Sequence, residues 1–280
     1  MRIAKILNNN AVIVVNAQQR EEVVMGSGLA YKKRPGEVLD ATRIEKVFCL
    51  QSDELTSRLG ELLRQIPLEV MIACDRIIAQ AAQQLGELHE SIYLTLTDHC
   101  HCAIERHRQG LSLKNALLWD IARLYPRELA LGKEACAILA HRLNIQLPED
   151  EAGFIALHLV TAQLNRAMPE VMEMTRVMQD ILDFVEKQLQ LTYIQDSLSY
   201  QRFVTHLKFF AQRMRSRTSE PAGDDRLCNT IKANYVTAWR CAKEIASMLH
   251  QKYRYDLKKD EMMYLTLHIE RIRTCMTAPA

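Results

Sequence analysis

Residues 97–107 read TDHCHCAIERH, and His99, Cys100, His101, Cys102 and His107 are all potential metal ligands, with Asp98 beside them. Imidazole and thiolate hold zinc, and imidazole also serves as a general base or as a nucleophile toward phosphorus. Spacing narrows the choice. On a helix, positions i and i+2 diverge, so His99 and His101 do not readily share a metal. His99 and Cys102 lie a turn apart, but two ligands do not close a tetrahedral site. No GxSxG, HExxH or Walker loop accompanies the cluster. The GSGLAY stretch has two glycines of a dinucleotide fingerprint, yet Tyr31 replaces the third and no helix is expected after it.

An internal repeat says which of these residues matter. Shifting residues 125–158 by 110 positions lays them on 235–268 without a gap, and nine positions are identical. They are Tyr125/Tyr235, Lys133/Lys243, Glu134/Glu244, Leu139/Leu249, Leu147/Leu257, Asp150/Asp260, Glu151/Glu261, Leu157/Leu267 and His158/His268. At an offset of 107, Tyr93 meets Tyr200 and His99 meets His206. Cys100, His101 and Cys102 have no counterparts, since the second copy reads Leu207, Lys208 and Phe209. A metal centre built on the cluster would be missing from one copy. His99, His158, His206 and His268 are therefore the candidate functional histidines, two per copy. Packing explains a single buried imidazole. It seldom explains a titratable ring kept twice where most neighbours differ. With no nucleophile or cofactor motif nearby, the chemistry left is acceptance of a phosphoryl group. Its charge of roughly −1.5 to −2 would rearrange a helical interface.

These histidines sit in a chain of two textures. The first ~50 residues read as strands: RIAKIL and AVIVV flank an Asn8–Asn10 turn, EEVVM follows AQQR, and EVLD follows KKRPG. A four-stranded antiparallel sheet is predicted, too small to be secure alone, so dimerisation would help bury a face. From Ser52, a helix-start residue, leucines recur at helical spacing. LNRAMPE at 164–170 reads as a linker and 215–226 as an exposed loop. The expected fold is multidomain: a small antiparallel β-sheet domain over 1–56, then two homologous all-α bundles over 57–168 and 169–280.

The 280 residues carry a net charge of +2, but residues 1–34 hold six Lys or Arg against two Glu. That local excess suits a polyanion. Asn8 and Asn10 offer amides for base edges, Gly26 and Gly28 allow close backbone approach, Tyr31 can stack, and Lys5 can meet phosphate. Eight scattered cysteines without CxxC read as reduced thiols. The absence of an 18-residue apolar run or a signal peptide predicts a cytoplasmic protein without membrane insertion. No metal and no cofactor are implied.

The stretches KILNNNAVIVV, VVMGSGLAYKK and RIEKVF resemble the BglG/SacY/LicT-type transcriptional antiterminators of bacterial sugar operons. So do YLTLTDHCHCAIER, DEAGFIALHLV, SYQRFVTHLKF and MMYLTLHIERI in the helical part. The resemblance covers the whole chain. It implies an RNA-binding domain, active as a homodimer, that grips a hairpin in leader mRNA and prevents a terminator from forming. It also implies two regulatory domains under the phosphotransferase system and no enzymatic activity. The sugar-specific permease would phosphorylate the first domain and the general phosphocarrier protein the second. Lys5, Asn8, Asn10, Gly26, Ser27, Gly28 and Tyr31 fall on the family's RNA-binding positions. Many members have Arg at the place of Ser27 and Phe at that of Tyr31. Asp98 is expected to orient His99. The competing reading, a DNA-binding activator with similar regulatory domains, requires an N-terminal helix-turn-helix.

Overall fold

The structure is a computed structural model, and it describes residues 1–16, 18–49, 53–216 and 225–277. Its contacts group into two compact units, Met1–Val171 and Met172–Ala280.

The first unit opens with an antiparallel meander of β1 (Ile3–Asn8), β2 (Ala11–Val15), β3 (Glu21–Met25) and β4 (Lys46–Phe48). The head is thus a sheet, and the described residues before Asp53 hold no α-helix with which to build a helix-turn-helix. β2 and β3 pair in unbroken register from Ala11↔Met25 to Val15↔Glu21. The β1–β2 ladder shifts twice, between Ile3 and Lys5 and between Ile6 and Asn8. The fourth strand is not EVLD, as the sequence suggested, but KVF, whose Val47 pairs with Val24. EVLD keeps a single bridge, Arg2↔Val38, along the outer edge of β1. Two local features explain the difference. The Asp40 side chain accepts from Thr42 N–H and starts a 3-10 turn at Ala41–Arg43, so the chain bends straight after Leu39. Leu39 itself is buried against the sheet face rather than extended along it.

β2 is apolar on both faces because both are covered. Ala11 and Ile13, with Val23 and Met25, pack on Leu59, Leu63, Leu68 and Met71. Val12, Val14 and Val24 pack under Leu29, Ala30 and Leu39. An uncovered sheet face, the basis for expecting dimerisation, is therefore not what this unit presents.

The helices of the first unit are α1 (Asp53–Leu62), α2 (Leu68–Leu85), α3 (Ile92–Arg108), α4 (Leu118–Leu124), α5 (Pro126–Leu143) and α6 (Glu149–Leu164). Ile92, Leu96, Cys100 and Ile104 form the i, i+4 stripe that buries α3 against α2, α5 and α6. Ser52, the expected helix-start residue, lies outside the described residues. After α6 the chain turns at Asn165, which takes a left-handed conformation at φ 47°. α7 (Met168–Leu189) begins at once. The expected linker over 164–170 is thus only three residues long, because Met168 and Pro169 serve as the first turn of α7.

The second unit contains α8 (Leu198–Ser216), α9 (Asp225–Asn234), α10 (Val236–Tyr253) and α11 (Lys259–Thr277). Most of the expected 215–226 loop lies outside the described residues, between α8 and α9. The repeat has a structural counterpart down to backbone angles. Tyr125 and Tyr235 precede α5 and α10 with φ/ψ of −133/52° and −121/53°. Asn144 and Arg254 end those helices in the left-handed region. No described helix is long and apolar enough to cross a membrane.

Candidate functional site

In each unit the two repeated histidines face one another. His99 on α3 and His158 on α6 have ring centroids 4.8 Å apart at 40°. His206 on α8 and His268 on α11 stand 4.0 Å apart at 34°. Helical geometry places them there. His99 is one residue before Cys100 of the buried α3 stripe, and His158 sits between Leu157 and Leu159 of the buried α6 face. His99, His158 and His268 thus lie at the margin of their cores, partly covered, while His206 is exposed.

The first pair is tied to charge. His99 Nε2 is 3.0 Å from Glu151 Oε2, and Arg106 Nη2 is 3.0 Å from Glu151 Oε1. His99 and Arg106 are i, i+7 on α3, and Glu151 and His158 are i, i+7 on α6, so two same-face pairs meet across the helix crossing. Glu151 is 2% exposed. Burial alone would raise its carboxyl, but contact with His99 and then Arg106 brings it below the usual value. His158 has no such partner. Burial, reinforced by His99, depresses its pKa to about 3, so it is a neutral imidazole.

The second pair is built differently. His268 is pulled down to about 4 by burial and then by His206 and Arg271. Glu261, the counterpart of Glu151, turns elsewhere. Tyr255 Oη donates to both its oxygens at 2.7 and 2.9 Å, and Lys258 N–H donates at 3.0 Å. Burial and then Glu261 push the Tyr255 hydroxyl up, keeping it a donor. Ile145 stands where the second copy has Tyr255, so only the first copy leaves its glutamate for a histidine.

The remaining members of the TDHCHCAIERH cluster diverge. Cys100 is buried and its thiol raised, first by a hydrogen bond with Cys74 and then by burial. Cys102 and His107 are exposed. Asp98 is exposed too, and its Oδ1 lies 4.0 Å from Cys102 Sγ, so it does not orient His99 as the sequence suggested. Adjacent helix positions point about 100° apart, and Glu151 takes that place from another helix. Among the described residues no group of three or more His, Cys, Asp or Glu is arranged to hold a metal ion. Sequence reasoning missed Glu151 and Arg106 as site residues. Glu151 was one of the nine repeat identities, and Arg106 matches Arg213 at the offset of 107.

The sheet brings most of the candidate RNA-binding residues to one end. Gly26 N–H donates to Asn10 O at 2.9 Å, Gly28 N–H to Asn10 Oδ1 at 2.8 Å and Ala30 N–H to Asn9 O at 2.9 Å. The 26–31 loop is thereby stapled to the β1–β2 turn. Asn8 is used internally: its Oδ1 accepts from Asn10 N–H and its Nδ2 donates to Leu63 O. No hydrogen bond occupies Asn10 Nδ2 among the described residues. The glycines have internal causes as well. A Cβ on Gly26 would lie 1.7 Å from Arg43 O, and Gly28 has φ +62°. Ser27 is exposed, with its N–H on Glu45 Oε1 at 3.0 Å. Tyr31 is 58% exposed, with Lys32 Nζ 5.3 Å from its ring. Lys5 is itself exposed on β1, where it pairs with Ile13 of β2.

Comparison with known proteins accounts for this arrangement. Residues 1–57 match the CAT RNA binding domain, and residues 75–162 and 179–272 each match the PRD domain. The chain is 54% identical over 275 residues to the Beta-glucoside operon antiterminator of Dickeya chrysanthemi, covering 98% of this chain and 97% of that one. It is 48% identical over 273 residues to Transcription antiterminator LicT of Bacillus subtilis, covering 97% and 99%. The crystal structure of GlcT CAT-PRDI superposes with a TM-score of 0.50 at 30% identity, covering 58% of this chain and 97% of that one. A sheet head matching an RNA-binding domain, two tandem PRD modules and near-complete overlap with named antiterminators lead to one assignment: this chain belongs to the family of RNA-binding transcriptional antiterminators, regulators rather than enzymes.

Proposed function

We propose that residues 1–56 of this antiterminator bind a hairpin in the leader mRNA of a sugar-utilisation operon of the β-glucoside class. Residues 57–168 and 169–280 then set whether they do so. In this reading the functional unit is a homodimer. The sugar-specific permease phosphorylates His99 or His158 and silences the protein, and the general phosphocarrier protein phosphorylates His206 or His268 and sustains it. Lys5, Asn10, Ser27, Gly28 and Tyr31 meet the RNA, while Asn8 and Gly26 hold the loop that presents them.

The observation that carries the regulatory part is the facing imidazole pair, built twice from corresponding helices. A neutral ring is the nucleophilic form, and burial holds His158 and His268 neutral. A phosphate added between two rings under 5 Å apart must force the helices to rearrange.

Phosphohistidine mapping with and without the permease tests it. Acid-labile phosphate is expected on at least one histidine of each pair. Phosphate on none of the four would remove the regulatory reading. For the RNA contact, Asn10→Asp keeps the acceptor that Gly28 N–H needs, while it replaces the amide donor with a negative charge that the RNA backbone repels. Loss of that donor should weaken hairpin binding by about 1–3 kcal/mol, roughly tenfold or more, with little change in thermal stability. Unchanged affinity would take Asn10 out of the interface.

A further inference from the structure

We infer that the first histidine pair accepts phosphate on opposite ring nitrogens: Nδ1 of His99 and Nε2 of His158. The inference rests on the reading that these rings are phosphorylated, and adds which atom of each is the nucleophile.

His99 Nε2 is enclosed 3.0 Å from Glu151 Oε2, a close contact in which neither atom meets hydrogen-bond geometry. Glu151 is fixed in turn by Arg106 on its other oxygen. A ring nitrogen closed in beside a buried carboxylate offers no path to an incoming phosphorus, and the carboxylate favours a proton there over a free lone pair. Attack then falls to Nδ1, which is not enclosed in this way. In His158 the order is reversed. Its Nδ1 is buried without a hydrogen-bond partner, and its Nε2 is not. An incoming phosphoryl group, delivered by a separate protein, reaches only the nitrogen that is open.

The step balances without a redox partner. The Nδ1 lone pair of the His99 imidazole attacks phosphorus, the donor's own bond to that phosphorus breaks, and the electron pair of that bond stays on the donor atom. The Nε2 proton remains, so the phosphorylated ring is an imidazolium facing Glu151. Glu151 is thus a positioning residue. The second pair has no such restraint, since the Glu261 carboxylate is taken by Tyr255 and Lys258 N–H.

The test uses the full chain, phosphorylated through the phosphoenolpyruvate-driven carrier and permease, with phosphate mapped peptide by peptide. Antibodies specific for each phosphohistidine isomer, or coupling between phosphorus and ring protons, report the nitrogen. The Nδ1 isomer should exceed the Nε2 isomer by about tenfold or more at His99, and the reverse should hold at His158. In Glu151→Gln the preference at His99 should fall toward parity while the His158 isomer is unchanged. A purely structural role for Glu151 would lower phosphate at both rings without moving the ratio, and would overturn its assignment as a positioning residue. Phosphate mainly on His99 Nε2 in the unmutated chain overturns the inference alone. Absence of phosphate from both rings overturns it together with the regulatory reading.

Discussion

At the scale of single residues, the same carboxylate is put to two uses by one change nearby. Ile145 leaves Glu151 to His99, whereas Tyr255 claims Glu261. The repeat made the four histidines and Glu151 legible in the sequence, because identity at a fixed offset marks positions that drift has spared. It did not show that Glu151 and His99 touch, since that contact needs the crossing of α3 and α6. Asp98 was nearer in sequence and lost to geometry. The buried histidines also set a pH dependence. Between pH 6.5 and about 3, an unfolded chain binds a proton at His158 that the folded ring refuses. The unfolded state holds more protons there, so stability rises with pH across the window and is lost as pH falls below 6.5. His268 adds a window from 6.5 to about 4 with the same sign. Denaturant unfolding should therefore show stability flat above about pH 7 and falling below it, by at most about 1.4 kcal/mol per unit for each ring. His158→Asn should flatten the fall in the first unit, and an unchanged slope would place its cause elsewhere.

At the scale of elements, α3 touches both ends of the proposed signal. His99 lies on it, and so does Tyr93, whose ring meets Phe48 of β4 edge-on at 5.2 Å. Beside that contact Lys46 pairs with Asp75 of α2 at 2.9 Å. These are modest attachments, about 0.5–1.5 kcal/mol for the aromatic pair and less for a partly exposed ion pair. Modest attachments can be remade by a phosphate about one and two-thirds turns along the same helix. Tyr93→Leu should keep most of the packing and leave RNA affinity of the unphosphorylated protein within about twofold. It should also blunt the loss of affinity proposed for phosphorylation of the first module. A variant repressed as fully as its parent would show that α3 does not carry the signal. The strand that the sequence misplaced belongs to this junction. KVF is only three residues long and follows a 3-10 turn, and tertiary pairing with β3 selects it over EVLD.

At the scale of the whole molecule, the sheet's apolar alternation was legible and its covering was not. The sequence shows that Ala11, Ile13, Val23 and Met25 need a partner surface, but not that α1 and α2 provide it. Removing those helices should leave the face bare. A fragment of residues 1–55 is therefore expected to self-associate in sedimentation experiments, and charged substitution at Ile13 should abolish the association. A monomeric fragment that stays folded would mean another surface pairs the heads.

Leu59, Leu63, Leu68 and Met71 consequently act as an internal competitor for any second copy seeking that face. Pairing through it must wait for undocking in both copies, so the concentration needed for assembly scales inversely with the square of the fraction of heads set loose. A weak regulatory nudge to the docking equilibrium would then be read out as a change in how many molecules a cell needs before transcripts are caught.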